Sequence, residues 1–98
     1  MAVTERTDAY ERVSMALVRV DRRFGQSRLR PEMSLVHDLG LDSLRFVDLA
    51  VALEDAFDIP EFPMQEWYDS EASKVAQQFT IGSLADFCAY LVREGRES

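Results

Sequence analysis

Few side chains in this sequence could make or break a bond. Ser43 stands between Asp42 and Leu44, three residues after Gly40. A serine so placed can be a nucleophile in hydrolysis, a helix cap, or a hydroxyl that another protein modifies. Hydrolysis asks for the Gly-x-Ser-x-Gly elbow, but Leu41 and Arg45 hold the two glycine positions. A triad would rest on His37 alone, six residues away in a loop, where a lone histidine is a hydrogen-bonded surface residue. Cys88 is the only cysteine, so an internal disulfide and a thiolate metal cluster are excluded, and one histidine cannot build a multi-histidine site. Cys88 reads instead as a small buried hydrophobe. No catalytic residue and no metal ligand is assigned.

The elements that must position Ser43 read as helices. Tyr10, Val13, Leu17, Val20 and Phe24 recur at steps of three and four, which predicts an amphipathic helix over about residues 8–24, ended by Gly25. Residues 25–42 hold Gly25, Pro31 and Gly40 among polar residues and read as a long crossing loop, pinned to the core by Leu29, Met33, Leu35 and Leu39. A second helix is predicted over 43–57: Phe46, Leu49, Ala50, Leu53 and Phe57 repeat at helical spacing, Val47 and Val51 widen the apolar face, and Asp42 caps the first turn. Pro60 and Pro63 forbid its continuation. A short helical piece is expected within 60–70, and residues 69–79 show no period. Thr80 can cap a last helix over about 80–93, with Ile81, Leu84, Phe87, Cys88 and Leu91 inward. No alternating strand pattern appears. The fold class is all-α: a small four-helix bundle of three major helices and one short one, as a single domain over 1–98.

The run Asp38-Leu-Gly-Leu-Asp-Ser43-Leu44, followed by acids at Asp48, Glu54 and Asp55 and by Phe57-Asp58-Ile59, resembles the attachment site of acyl and peptidyl carrier proteins. The resemblance covers the first two helices, fits the last, and is poor over residues 61–79. It implies that Ser43 receives a 4'-phosphopantetheine arm from coenzyme A, whose thiol holds an acyl or aminoacyl group as a thioester. It implies further that Asp42 caps the helix and helps a phosphopantetheinyl transferase find the serine; Leu44 either packs or presents an apolar contact for a partner enzyme. Asp48, Glu54 and Asp55 would dock basic patches on loading and transferring enzymes, and Arg45 completes the expected docking set. Arg45 departs from the pattern of fatty acid synthesis carriers, which often place an acid there, and points to dedicated partners in a specialised pathway. The physical reading agrees: a serine in the first turn lies beside unpaired N–H groups and the positive end of the helix dipole, where a phosphodiester is stabilised by about 0.3–1 kcal/mol. Gly40 allows the tight turn that presents Ser43 outward. Residues 60–79 are longer than the family's usual link and rich in aromatics. They read first as an elaborated loop packed on the core, and second as a wall shaping where an arm or acyl chain rests.

Composition narrows the remaining classes. The 98 residues are 47% hydrophobic and 10% aromatic, ordinary for one small globular domain and too apolar for a disordered tail. The net charge is -7, unevenly spread: residues 1–31 carry seven arginines against four acids, and 38–71 carry ten acids and only Arg45. Such a surface repels nucleic acid and anionic lipid. The longest apolar run, Phe87–Val92, has six residues, so no membrane span is expected, nor does the first stretch have the pattern of a secretory signal. A cytoplasmic, monomeric, free-standing and non-enzymatic carrier is the resulting expectation, with an unmodified acidic adaptor of the same fold as the alternative.

Overall fold

The computed structural model describes residues 6–25 and 29–97. Four α-helices run in order: α1 (Arg6–Val20), α2 (Ser43–Phe57), α3 (Met64–Ala72) and α4 (Ile81–Glu97). Helix α1 packs on both α2 and α4, and α3 touches α2. Among the described residues the only β pairing is the isolated bridge between Ser34 and Thr80. The core is the apolar stripe of each helix: Ala9, Val13, Ala16 and Leu17 from α1, Leu49, Leu53 and Phe57 from α2, Trp67 from α3, and Ile81, Leu84, Ala85 and Cys88 from α4.

Three expectations are corrected. First, α1 stops at Val20 and not at Phe24, because the Asp21 carboxylate accepts the Arg23 backbone N–H at 3.0 Å and so offers the chain an alternative to the next helical turn. A 3₁₀ turn over Arg22–Gly25 follows, and Phe24 reaches the core from there. Second, Val47 and Val51 do not widen the buried face of α2: both are exposed, while Ala52 is buried. Third, Phe87 and Leu91 are only partly buried at the rim of the core, and α4 extends to Glu97, beyond 93. The short piece expected within 60–70 is the nine-residue α3, which begins directly after Pro63, a residue suited to the entrance of a helix.

The crossing loop is fastened to the start of α4. Leu35 N–H donates to Phe79 O at 2.8 Å, Ile81 N–H to Met33 O at 2.9 Å and Gly82 N–H to Pro31 O at 2.8 Å. Buried Leu35 and Leu41 anchor the stretch before α2 on the core. Directly before Leu35, Ser34 organises a tight turn: its N–H donates to Asp38 Oδ2 at 2.6 Å, and its Oγ accepts from the N–H groups of Val36 and His37 at 3.3 and 3.1 Å. Gly40 has φ +69°, the left-handed region that a side chain resists, and Leu41 N–H then returns to Leu35 O at 2.9 Å. The chain is thereby aimed into α2 at Asp42.

Residues 73–79 are held by a buried acid and not by apolar packing alone. Glu71, 2% exposed, accepts from Phe79 N–H at 2.8 Å, from the Ser83 hydroxyl at 2.7 Å and from Lys74 Nζ at 2.6 Å. A carboxylate taken out of water needs such donors. Phe79, at positive φ, then places its ring against Trp67 and Tyr68, with centroids 6.1 and 4.7 Å apart.

Candidate functional site

Helix α2 begins with a capped turn. Asp42 is extended, with φ -101° and ψ 179°, and its Oδ1 accepts the Arg45 N–H at 2.9 Å. The Asp42 carbonyl takes the Phe46 N–H at 3.0 Å. Ser43 is therefore the first residue inside the helix. Its side chain is exposed, and no hydrogen bond engages its hydroxyl among the described residues. The backbone N–H groups of Ser43 and Leu44 likewise have no acceptor there, as the first turn of any helix requires. With the dipole behind them, these two N–H groups favour an anion attached at Ser43.

A cleft of about 980 Å³ opens beside the serine, between α2 and the segment that leads into α3. Val36, Leu41, Phe46, Ala50, Phe62, Met64 and Tyr68 form its apolar walls, and Asp42 and Ser43 stand at one edge. Phe46 and Tyr68 meet edge to face across its floor, with centroids 5.6 Å apart. Glu61, Gln65 and Glu66 supply its polar border. Residues 60–79 pack on the core through Phe62 and Trp67, and Phe62, Met64 and Tyr68 also line the cleft.

On the other side of Asp42, Arg45 turns away from Ser43 and donates to Asp21 Oδ2 at 2.7 Å. Arg23 grips the same carboxylate with Nε at 3.1 Å and Nη2 at 2.6 Å. The hydrogen bonds from the Arg23 side chain, then its backbone N–H, then Arg45, hold the Asp21 carboxyl well below the usual carboxylate range. This shared acid ties the end of α1 to the first turn of α2.

The four residues expected to dock partners have different surroundings. Asp48 is exposed and has no partner among the described residues. Asp55 pairs with Arg19 of α1 at 2.8 Å. Glu54 Oε2 accepts the Phe62 N–H at 3.0 Å and so holds the loop after α2. Arg45 is engaged by Asp21. Neither His37 nor Cys88 approaches a nucleophile's role: His37 is an exposed residue of the Ser34 turn, and Cys88 is fully buried, which pushes its thiol up and leaves it inert.

A family model for the phosphopantetheine attachment site matches residues 12–91. The chain belongs to that family. A phosphopantetheine-attachment domain carries 4'-phosphopantetheine as a covalent group, and the residues here fit it: a free hydroxyl, two unpartnered N–H groups at a helix start and an adjoining apolar cleft. No solved structure matches the chain. No helix among the described residues is long and apolar enough to cross a membrane. What the sequence did not reveal about this attachment domain is the supporting shell. Asp21 stood among arginines as one acid of an ordinary solvated stretch, and Glu71 lay where no periodicity marks a face.

Proposed function

We propose that this chain is a carrier: a single non-enzymatic domain, monomeric and cytoplasmic, whose Ser43 accepts a 4'-phosphopantetheine arm from coenzyme A through a phosphopantetheinyl transferase. When attached, the arm supplies a thiol that holds acyl or aminoacyl groups as thioesters. The observation that carries the reading is the unengaged hydroxyl of Ser43 on the first turn of α2, reachable from water. Asp42 holds that turn through its cap on Arg45 N–H, and the N–H groups of Ser43 and Leu44 receive the phosphodiester charge. The adjoining cleft gives an apolar cargo a place to rest out of water, with Phe46, Phe62 and Tyr68 as its walls.

Tethered cargo reaches each partner at high effective concentration, so docking on α2 can be weak and reversible. Arg45, engaged by Asp21 where an acid is common, supports partners dedicated to a specialised pathway. Incubation with coenzyme A and a broad-specificity phosphopantetheinyl transferase, read by intact-protein mass, tests the proposal. One added phosphopantetheinyl group is expected, abolished by Ser43→Ala. A chain that stays unmodified, or modification that survives Ser43→Ala, refutes it and leaves the unmodified adaptor as the better account.

A further inference from the structure

The cleft beside Ser43 carries charge of one sign. Glu61 and Glu66 stand on its border, both exposed, and neither carboxylate has a partner among the described residues. Asp42 adds a third acid at the edge where Ser43 stands. Among the described residues that line the cleft, none is basic. Arg45 is the only basic residue from 38 to 71, and Asp21 holds its guanidinium on the other side of Asp42, at 2.7 Å. The negative charge of the border is therefore left for whatever enters to offset. The walls are apolar and in part aromatic, with the Phe46 and Tyr68 rings edge to face. Such walls bind an apolar body, and aromatic faces favour a cation over an anion. The border acts in the same direction, attracting a cation and repelling a further carboxylate.

Resting on the carrier reading, we propose that the cleft selects a cargo with a protonated amine: an aminoacyl group whose apolar side chain packs among Phe46, Phe62 and Tyr68 and whose ammonium is offset by Glu61 and Glu66. Charge complementarity chooses this occupant. A plain acyl group would use the walls and leave both carboxylates unmatched, and a dicarboxylic acyl group would bring a like charge to them. Glu61 precedes α3 and Glu66 lies in its first turn, so both belong to the segment that walls the cleft. Both meet water, so each carboxylate acts with the strength of an exposed ion pair, a preference of about threefold.

Coenzyme A analogues whose arms end in amide-linked phenylalanyl, 3-phenylpropionyl or succinyl groups serve as probes, each attached to the chain by a broad-specificity phosphopantetheinyl transferase. Phenylalanyl and 3-phenylpropionyl differ only by the amine. At about pH 6.5 that amine is protonated and the carboxylates are ionised. NMR of isotope-labelled methionine methyl groups reads the ratio of seated to free arms, through the shift of the Met64 methyl in the cleft wall and its NOEs to the cargo ring. The phenylalanyl arm is expected to seat about tenfold more than the 3-phenylpropionyl arm, about threefold for each carboxylate, and the succinyl arm to stay outside. That preference should shrink about twofold between 50 and 300 mM salt. Glu61→Gln with Glu66→Gln should bring the two phenyl arms to about equal seating. Each single variant should lower the preference about threefold, and the singles decide on the same terms if the double variant seats neither arm. Equal seating in the wild-type chain, a preference that survives the double variant, or a seated succinyl arm overturns the cargo class while leaving the carrier reading intact. Arms that all attach and never seat overturn it as well. If the wild-type chain takes no arm at all, the carrier reading fails and the cargo class fails with it.

Discussion

The two roles implied for Asp42 can be separated because the structure shows how much of it is a cap. Its Oδ1 accepts the Arg45 N–H at 2.9 Å, and the residue is exposed. Asp42→Ala deletes that acceptor, and water replaces it at an open site, so the loss is that of an ordinary cap, about 1 kcal/mol within a range of roughly 0.5–2. Asp42→Asn keeps an oxygen in the same position and removes only the charge near the helix N-terminus, a loss of about 0.3–1 kcal/mol before screening. The Arg45 side chain remains tied to Asp21 in both variants, which limits fraying to the first turn. Urea unfolding with linear extrapolation measures the stabilities, and the transferase assay measures arm attachment on the same samples.

The expected pattern is a graded one for stability, with wild type above Asn and Asn above Ala. Arm attachment should fall in both variants, and by a similar factor, if the transferase uses the carboxylate charge. It should fall only in Asp42→Ala if the cap alone matters, because only that variant lets the Ser43 turn fray. An Asp42→Ala protein as stable as wild type would refute the cap argument outright, since no other described side chain takes the Arg45 N–H.

The supporting shell makes two further predictions. Glu71→Ala leaves the buried Phe79 N–H and the Ser83 hydroxyl without their acceptor, while Lys74, 43% exposed, turns to water; the expected loss is about 3–5 kcal/mol, with Glu71→Gln losing roughly half as much, both read by urea unfolding. Asp21, whose folded pKa is depressed by its two arginines, contributes stability that is fully present above the ordinary carboxylate value of about 4 and is lost as pH falls below it; the gap in unfolding midpoint between wild type and Asp21→Asn should therefore be widest near neutrality and narrow steadily toward pH ~2, and a gap independent of pH would refute the linkage.

How far the site could be read from the chain follows from which forces are local. The run from Gly40 to Leu44 is local: a glycine at positive φ, a cap at Asp42 and a serine at the first helical position depend on neighbours within a few residues, so spacing alone reveals them. The core stripe of α2 is nearly as legible, because Phe46, Leu49, Leu53 and Phe57 recur at helical spacing and all four are buried. Val47 and Val51 expose the limit of that reasoning. Periodicity counts apolar residues on a helix, but whether a flank is covered depends on where the next helix lies, and α3 approaches only part of α2. Phe24 shows a second limit, since its spacing continues α1 while the Asp21 side chain interrupts the helix by taking a backbone N–H. Glu71 shows a third: an acid can be a core residue only when a distant stretch returns donors to it, here Phe79 and Ser83, eight and twelve residues on. The residues missed share a cause. Each is defined by what packs or bonds against it from elsewhere in the chain, whereas Ser43, the proposed attachment residue, is defined by the turn it opens.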